Sequence, residues 1–534
     1  MESRPYLVRT LHPLSAQLLS QLRGARRRTL ALIDDLDEDR LRAPGPGRVA
    51  PVHWEVGHVA WFQERWLLRH LARAAPIWPS ADALFDPARV EAHRRATLDL
   101  PSWIETRRYV DAVFDAAAER IARRELDVEE AACIRLALLH EDLHSERLCA
   151  ARQERGDPAP YADGDLYALF ANALRSGRPV VDERVLRLLE VRLSEELGRQ
   201  GVLPRPDVRI ELVAGRIRVR RRGEELPIDT GLLAELAASA LHREMMQRLS
   251  SPDRAAFVEF AQSAGGAPGD VSIPGGVFVP GAEGDDPLAV DNERGGAPVE
   301  LAAFQIARAP VTQAEFAEFV DARGYARDEN WSPAGLRWRH ASLARQPRDW
   351  ARGEGGRWYR RHFDQLLPIA EHQPMVHVNA FEAEAWCRWA GRRLPTEFEW
   401  EFAASVDPST LLHGHLPKKR RYPWGDAEPE PRHAHVELAQ AALVDVGGYE
   451  DGDSAFGCRQ MAGHVWEWTA STFEPYPGFV PGRMPNYSRR AFGTARVLRG
   501  GSFASSARLA RNTFRGFLAP ERRDAFAGFR TCAG

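Results

Sequence analysis

The segment Leu139-His140-Glu141-Asp142-Leu143-His144 places two imidazoles four residues apart in a stretch that reads as helix. Positions i and i+4 share one helix face, so both rings can converge on one point. Neutral imidazole is a common metal ligand, and one helical turn is the right bite for a shared ion. The same residues spell HExxH, so one chemistry open to them is that of a zinc protease with Glu141 as general base. The plain alternative is a pair of exposed polar residues, or a buried histidine satisfied by hydrogen bonds.

A metal site needs a third group from a second helix. Trp54-Glu55-Val56-Gly57-His58-Val59-Ala60-Trp61-Phe62 supplies one: His58 lies on an otherwise apolar helix, with Gly57 allowing close helix approach. A lone histidine in such a place is most often core. Taken with His140 and His144 it completes a set of three imidazoles. Such a set leaves a divalent ion its charge and open positions for substrate, water or O2.

The elements that must position these residues are helical. Apolar spacing predicts amphipathic helices around Leu18–Leu32, His53–Leu71, Ile104–Arg123 and Val128–Arg152, which together suggest a four-helix bundle. Residues 165–262 read as an accessory α+β element without a chemical motif. Its expected parts are a helix over Val185–Arg199, a hairpin of Val208–Leu212 with Ile217–Val219, and a helix over Leu232–Ala261. From residue 263 glycine, proline and tryptophan become frequent. Only Thr312–Ala322 and Phe381–Trp389 read as helices there, among short strands and ordered loops. The expected division is therefore 1–164, 165–262 and 263–534.

The bulk numbers fit a multidomain globular chain. There are 534 residues, 44% hydrophobic and 28% charged, with a formal net charge of -3. That balance gives no electrostatic case for nucleic acid or an anionic membrane. No apolar run is long enough to span a bilayer, and the N-terminus lacks a signal-peptide core. Five cysteines without a CxxC pair point to a reducing, cytoplasmic setting and to no cysteine-built zinc site.

The C-terminal part carries longer strings: Arg392-Arg393-Leu394-Pro395-Thr396-Glu397-Phe398-Glu399-Trp400-Glu401, Tyr422-Pro423-Trp424-Gly425-Asp426, Gly463-His464-Val465-Trp466-Glu467-Trp468-Thr469 and Leu498-Arg499-Gly500-Gly501-Ser502. Residue by residue these read as structural, since a loop-rich domain needs fixed polar groups to satisfy its buried backbone.

Together with Gly57-His58 and His140…His144, these strings resemble the ergothioneine-type sulfoxide synthases and their relatives, the selenoneine synthases. The resemblance covers about Arg27–Tyr161 and Ser272 to the C-terminus. It implies an α+β multidomain fold: an N-terminal DinB-like four-helix bundle and a C-terminal C-type-lectin-like, loop-rich domain of the formylglycine-generating-enzyme type. It implies Fe(II) on His58, His140 and His144. It also implies O2-dependent formation of a carbon–sulfur or carbon–selenium bond at the imidazole C2 of hercynine, with a thiol or selenol donor as partner. A quaternary ammonium favours aromatic faces, in keeping with the aromatic-rich C-terminal part. Phe517, Gly516 and Leu143 are the implied substrate contacts, and Tyr487 matches an active-site tyrosine, the candidate catalytic residue.

This chain departs from the sulfoxide-synthase pattern at named positions. The tyrosine expected three residues before Tyr487 is Met484. The stretch after Phe514-Arg515 is Gly516-Phe517-Leu518, where Asn-Trp-Asp is frequent in the family, and the glutamine expected before the last histidine is Leu143. Leu518 cannot pair with the amino group of a peptide-like thiol, so cysteine or a selenosugar fits better than γ-glutamylcysteine. The form of the His140–His144 segment and the ending Phe526-Ala527-Gly528-Phe529-Arg530-Thr531-Cys532-Ala533 look more like the selenoneine branch. Three other readings compete. A zinc-dependent DinB-type thiol transferase would use the same histidines without O2. A non-catalytic lectin-like binding protein would tolerate their loss. A formylglycine-generating enzyme would need two cysteines where Ser505 and Ala510 stand.

Overall fold

A computed structural model of the chain describes residues 12–44, 50–123, 125–160, 263–284, 286–411, 415–484 and 486–534, with short strands at 208–213, 216–221 and 224–225. It divides into two compact units, Met1–Arg155 and Gly156–Gly534. The helices expected over Val185–Arg199 and Leu232–Ala261 fall outside the described residues. The expected hairpin is present, Val208–Val213 pairing antiparallel with Arg216–Arg221.

The first unit is the four-helix bundle, made by α1 (Pro13–Ala31), α3 (Val52–Gln63), α5 (Trp103–Arg123) and α6 (Val128–Arg155), with short helices α2 (Glu38–Arg42) and α4 (Ala81–Phe85) in the connections. α3 packs on α5 and α6, and α1 packs on the same two. Leu18, Leu19 and Leu22 of α1 meet Ala117 and Ile121 of α5 and Ile134 and Leu138 of α6 in one core. Each such fully buried leucine contributes about 1.5–3 kcal/mol. α6 begins with Glu129 and Glu130 and ends with Arg152 and Arg155, charges that match its macrodipole.

α3 is buried on every side, from Val52 to Gln63. An all-round buried helix must find a partner for each polar side chain it carries. His53 Nε2 meets Thr106 Oγ1 at 2.7 Å, and Gln63 accepts from Arg26 at 2.9 Å. The helix runs on through π-helical turns at Glu64–His70, where the Tyr109 hydroxyl donates to Glu64 at 2.7 Å.

The second unit has short strands joined by long ordered loops. Cys532–Ala533, at the end of the chain, lies between Arg392–Arg393 and Phe304–Ala307, and Asp270–Ile273 completes that four-stranded antiparallel sheet. A second four-stranded sheet runs Gly516–Leu518, Arg496–Arg499, Trp466–Thr472, Ala527–Gly528. Helices α7 (Gln313–Asp321) and α9 (Ala380–Trp389) are the two expected ones, each opened by a capping box, at Thr312 and Asn379. Three more were not expected: α8 (Pro333–Ser342), capped by Ser332, α10 (Glu397–Ser405), whose capping box is Thr396 with Glu399, and the single turn Asn486–Arg489. α10 carries no clear apolar stripe. It is buried on nearly all faces, so periodicity gives no signal there.

The C-terminal strings build this frame. Arg515 donates to Glu397 at 2.9 and 3.0 Å, and Arg499 to Glu397 at 3.2 Å and Glu401 at 2.9 Å. Lys419 donates to Glu401 at 2.9 Å. All five side chains are buried. Burial pushes the Glu401 carboxyl up, and Lys419 and Arg499 more than reverse it. Arg530 binds Glu467 at 2.6 and 2.7 Å and donates to the carbonyls of Arg308 and Arg459, pinning loop backbone from inside.

Candidate metal centre

His58 of α3 and His140 and His144 of α6 come together, all nine-tenths or more buried. Nε2 of His140 lies 3.2 Å from Nε2 of His58, and the centroids of the three rings are 4.4–5.0 Å apart. Two nitrogens bound to one ion at about 2.1 Å, at right or tetrahedral angles, are roughly 3.0–3.4 Å apart. The observed spacing therefore suits a shared ion. Burial, with His144 adjoining, drives His58 down to about 3, and burial drives His140 well below its ordinary value. Both offer lone pairs at neutral pH, as metal ligands must.

Each ring is held. His58 Nδ1 donates to the Phe85 carbonyl at 2.9 Å, which leaves Nε2 free to bind. The ring stacks on Trp54 with centroids 4.9 Å apart. His140 lies flat on Phe62, centroids 3.7 Å apart and planes within 2°. His144 Nδ1 bonds the Glu55 carboxylate in a short contact. Burial pushes the Glu55 carboxyl up, but His144 and, less strongly, Arg147 bring it down to about 2, so Glu55 is an anion.

Gly57 has a specific reason. A Cβ there would stand 2.2 Å from the Phe85 ring, whose carbonyl holds His58. Gly57→Ala gains about 1 kcal/mol of helix propensity but overpacks a closed contact, at about 1–3 kcal/mol. The expected result is a fall of about tenfold or more in metal affinity, because the support of His58 moves. Chelator competition checks it, and unchanged affinity would count against the role given to Phe85.

Glu141, the general base of a zinc protease, points elsewhere. It is fully buried between α1 and the last residue of α3, accepting from Arg26 at 2.8 Å and Thr29 at 3.0 Å of α1 and from Gln63 of α3 at 2.5 Å. The literal HExxH thus splits into two histidines facing α3 and a structural carboxylate.

Tyr487 and Phe517 stand together in the second unit, ring centroids 5.3 Å apart, and Phe517 stacks on Phe473 at 4.4 Å. Gly516 is needed where it is, since a Cβ would meet the Trp466 ring at 2.8 Å. Leu143 is half-buried on α6 in the first unit. Ser505 and Ala510, where copper-binding cysteines would be required, are buried, and Ser505 accepts from the Ser502 backbone N–H at 2.8 Å. The five cysteines are buried, and no described helix is long and apolar enough to cross a membrane.

Sequence reading missed Glu55 as a partner of the site. A carboxylate three residues before His58, on a helix otherwise apolar on that side, was the available signal.

Family models match both units: the DinB superfamily over residues 21–146 and the sulfatase-modifying factor enzyme 1-like domain over 256–533. A hercynine oxygenase of Mycolicibacterium thermoresistibile is 33% identical over 527 residues, covering 97% of this chain and 95% of that protein. A hercynine oxygenase of Mycobacterium tuberculosis is 32% identical over 517 residues, covering 96% and 98%. A formylglycine-generating enzyme of Streptomyces coelicolor is 33% identical over 259 residues, covering only 44% of this chain. Likeness over both units, on a bundle that gathers three imidazoles, settles the kinship: the chain belongs to the hercynine oxygenase family, in which a DinB-like bundle is joined to a domain of the formylglycine-generating-enzyme type.

Proposed function

We propose that this chain is a nonheme Fe(II), O2-dependent enzyme that joins sulfur or selenium to the imidazole C2 of hercynine. The observation that supports it best is the convergence of His58, His140 and His144, two of them held neutral by burial, in a chain alike to hercynine oxygenases over nearly its whole length. Bound iron would supply one-electron activation of O2 and open positions for co-substrates. The chain's own residues do the rest. Phe85 and Glu55 fix two of the rings, while Phe62 and Trp54 exclude water from the faces of His140 and His58. Tyr487 is assigned as the catalytic phenol, with Phe517, Gly516 and Leu143 on the substrate side.

The donor is proposed to be other than γ-glutamylcysteine, because Leu518 offers no charged partner to the amino group of a peptide-like thiol and Leu143 stands where a polar contact is expected. Cysteine or a selenosugar meets that requirement. Residues 165–262 are taken as an accessory element between the two domains of chemistry.

Incubating the iron-loaded protein with hercynine, O2 and a panel of thiols and selenols, read by mass spectrometry, tests this. The expected product is hercynine plus donor less two hydrogens, with one further oxygen in a sulfoxide, and none without O2. Turnover by the zinc-loaded protein without O2 would favour a DinB-type thiol transferase.

A further inference from the structure

The three imidazoles differ in what holds their far nitrogens. His58 Nδ1 meets a neutral peptide carbonyl, at 2.9 Å. His140 Nδ1 is buried with no hydrogen-bond partner among the described residues, its ring held by stacking on Phe62. His144 Nδ1 meets a carboxylate, Glu55. A carboxylate on the far nitrogen fixes the tautomer and ring orientation and raises the basicity of the near one. Glu55 and His58 lie at i and i+3 on one face of α3, while His144 belongs to α6. One helix thus presents a ligand of its own and also grips a ligand of its neighbour. The carboxylate stands inside a helix buried on all sides, with His144 as its hydrogen-bond partner there. Burying it unpaired would cost several kcal/mol.

We propose that Glu55 is the positioning residue of the metal centre. It holds His144 with Nδ1 protonated and Nε2 directed at the ion, and it makes His144 the strongest donor of three unlike ones. The carboxylate also lowers the net charge of the loaded centre by one. The inference rests on the reading that His58, His140 and His144 hold the iron. A contact serving only to tie α3 to α6 would leave donor strength untouched, and this separates the two roles.

The test uses the full chain and Glu55→Gln, which keeps size and a hydrogen-bonding oxygen, with Glu55→Asp as the rescue. Fe(II) affinity is measured by anaerobic chelator competition, the ligand field by the visible spectrum of the Co(II)-loaded protein, and folding by melting of the metal-free protein. The expected result for Glu55→Gln is a loss of metal affinity of about 10–100-fold. A shifted Co(II) band should accompany it, with near-normal metal-free melting and partial recovery in Glu55→Asp. Affinity within about twofold of the parent and an unchanged spectrum, whatever the melting, overturns the proposal. If the parent takes up neither ion, or if His144→Ala binds as the parent does, the underlying site reading falls and takes this inference with it. That outcome is recognisable because it shows in the parent itself or in His144→Ala, and not in Glu55→Gln alone.

Discussion

His140→Ala should bring bound-metal content below a tenth of the parent's and turnover down by about a thousandfold or more. The ring it removes is central. It offers Nε2 at 3.2 Å from that of His58, and it is the ring laid on Phe62. Two remaining imidazoles cannot hold a labile divalent ion against dilution, and alanine opens a cavity where that ring was stacked. Metal analysis, turnover and the circular dichroism of the metal-free protein separate loss of the ion from loss of the fold. Retained metal with full turnover would show that another group completes the site. Glu141→Gln should do the opposite. It leaves Arg26 short of its buried anion, at a cost of about 3–5 kcal/mol, yet the metal stays. Loss of activity with stability intact would revive the zinc-protease reading.

The histidines were legible because helical spacing alone brings His140 and His144 to one side, and because an isolated His58 in an apolar helix calls for a partner. The ends of α5 and α6 followed from apolar periodicity to within three residues. Glu55 was missed because its partner lies 89 residues away, and the local pattern shows only a carboxylate one turn before His58 without saying what it meets. The helices α8 and α10 escaped for a related reason. α10 is wrapped by the rest of its unit, so its sequence carries the chemistry of the frame instead of an amphipathic stripe.

Arg499→Met should lower the melting temperature of the second unit by roughly 6–15 °C. Arg499 is fully buried between Glu397 and Glu401 and also donates to the carbonyls of Asn512 and Phe514. Its removal turns a run of three cations and two anions into two separate pairs and strands two backbone acceptors. Each stranded acceptor costs about 1–3 kcal/mol and each lost bond to a charged group about 1.5–3 kcal/mol, a large share of a domain's marginal stability. Calorimetry of the full chain reads the effect. A shift below about 2 °C would mean that water reaches these charges after all.

His140 and Glu141 are neighbours in sequence but about 100° apart around α6. One meets His58 of α3 at the candidate metal site, the other is locked by Arg26 and Thr29 of α1 and Gln63 at the end of α3. The two positions therefore answer to different selection. In a descendant released from its reaction, His140 and His144 are free to drift while Glu141, Arg26 and Thr29 stay, because the bundle still has to fold. A homologue that keeps the acid and has lost the histidines would be a well-folded protein without its metal.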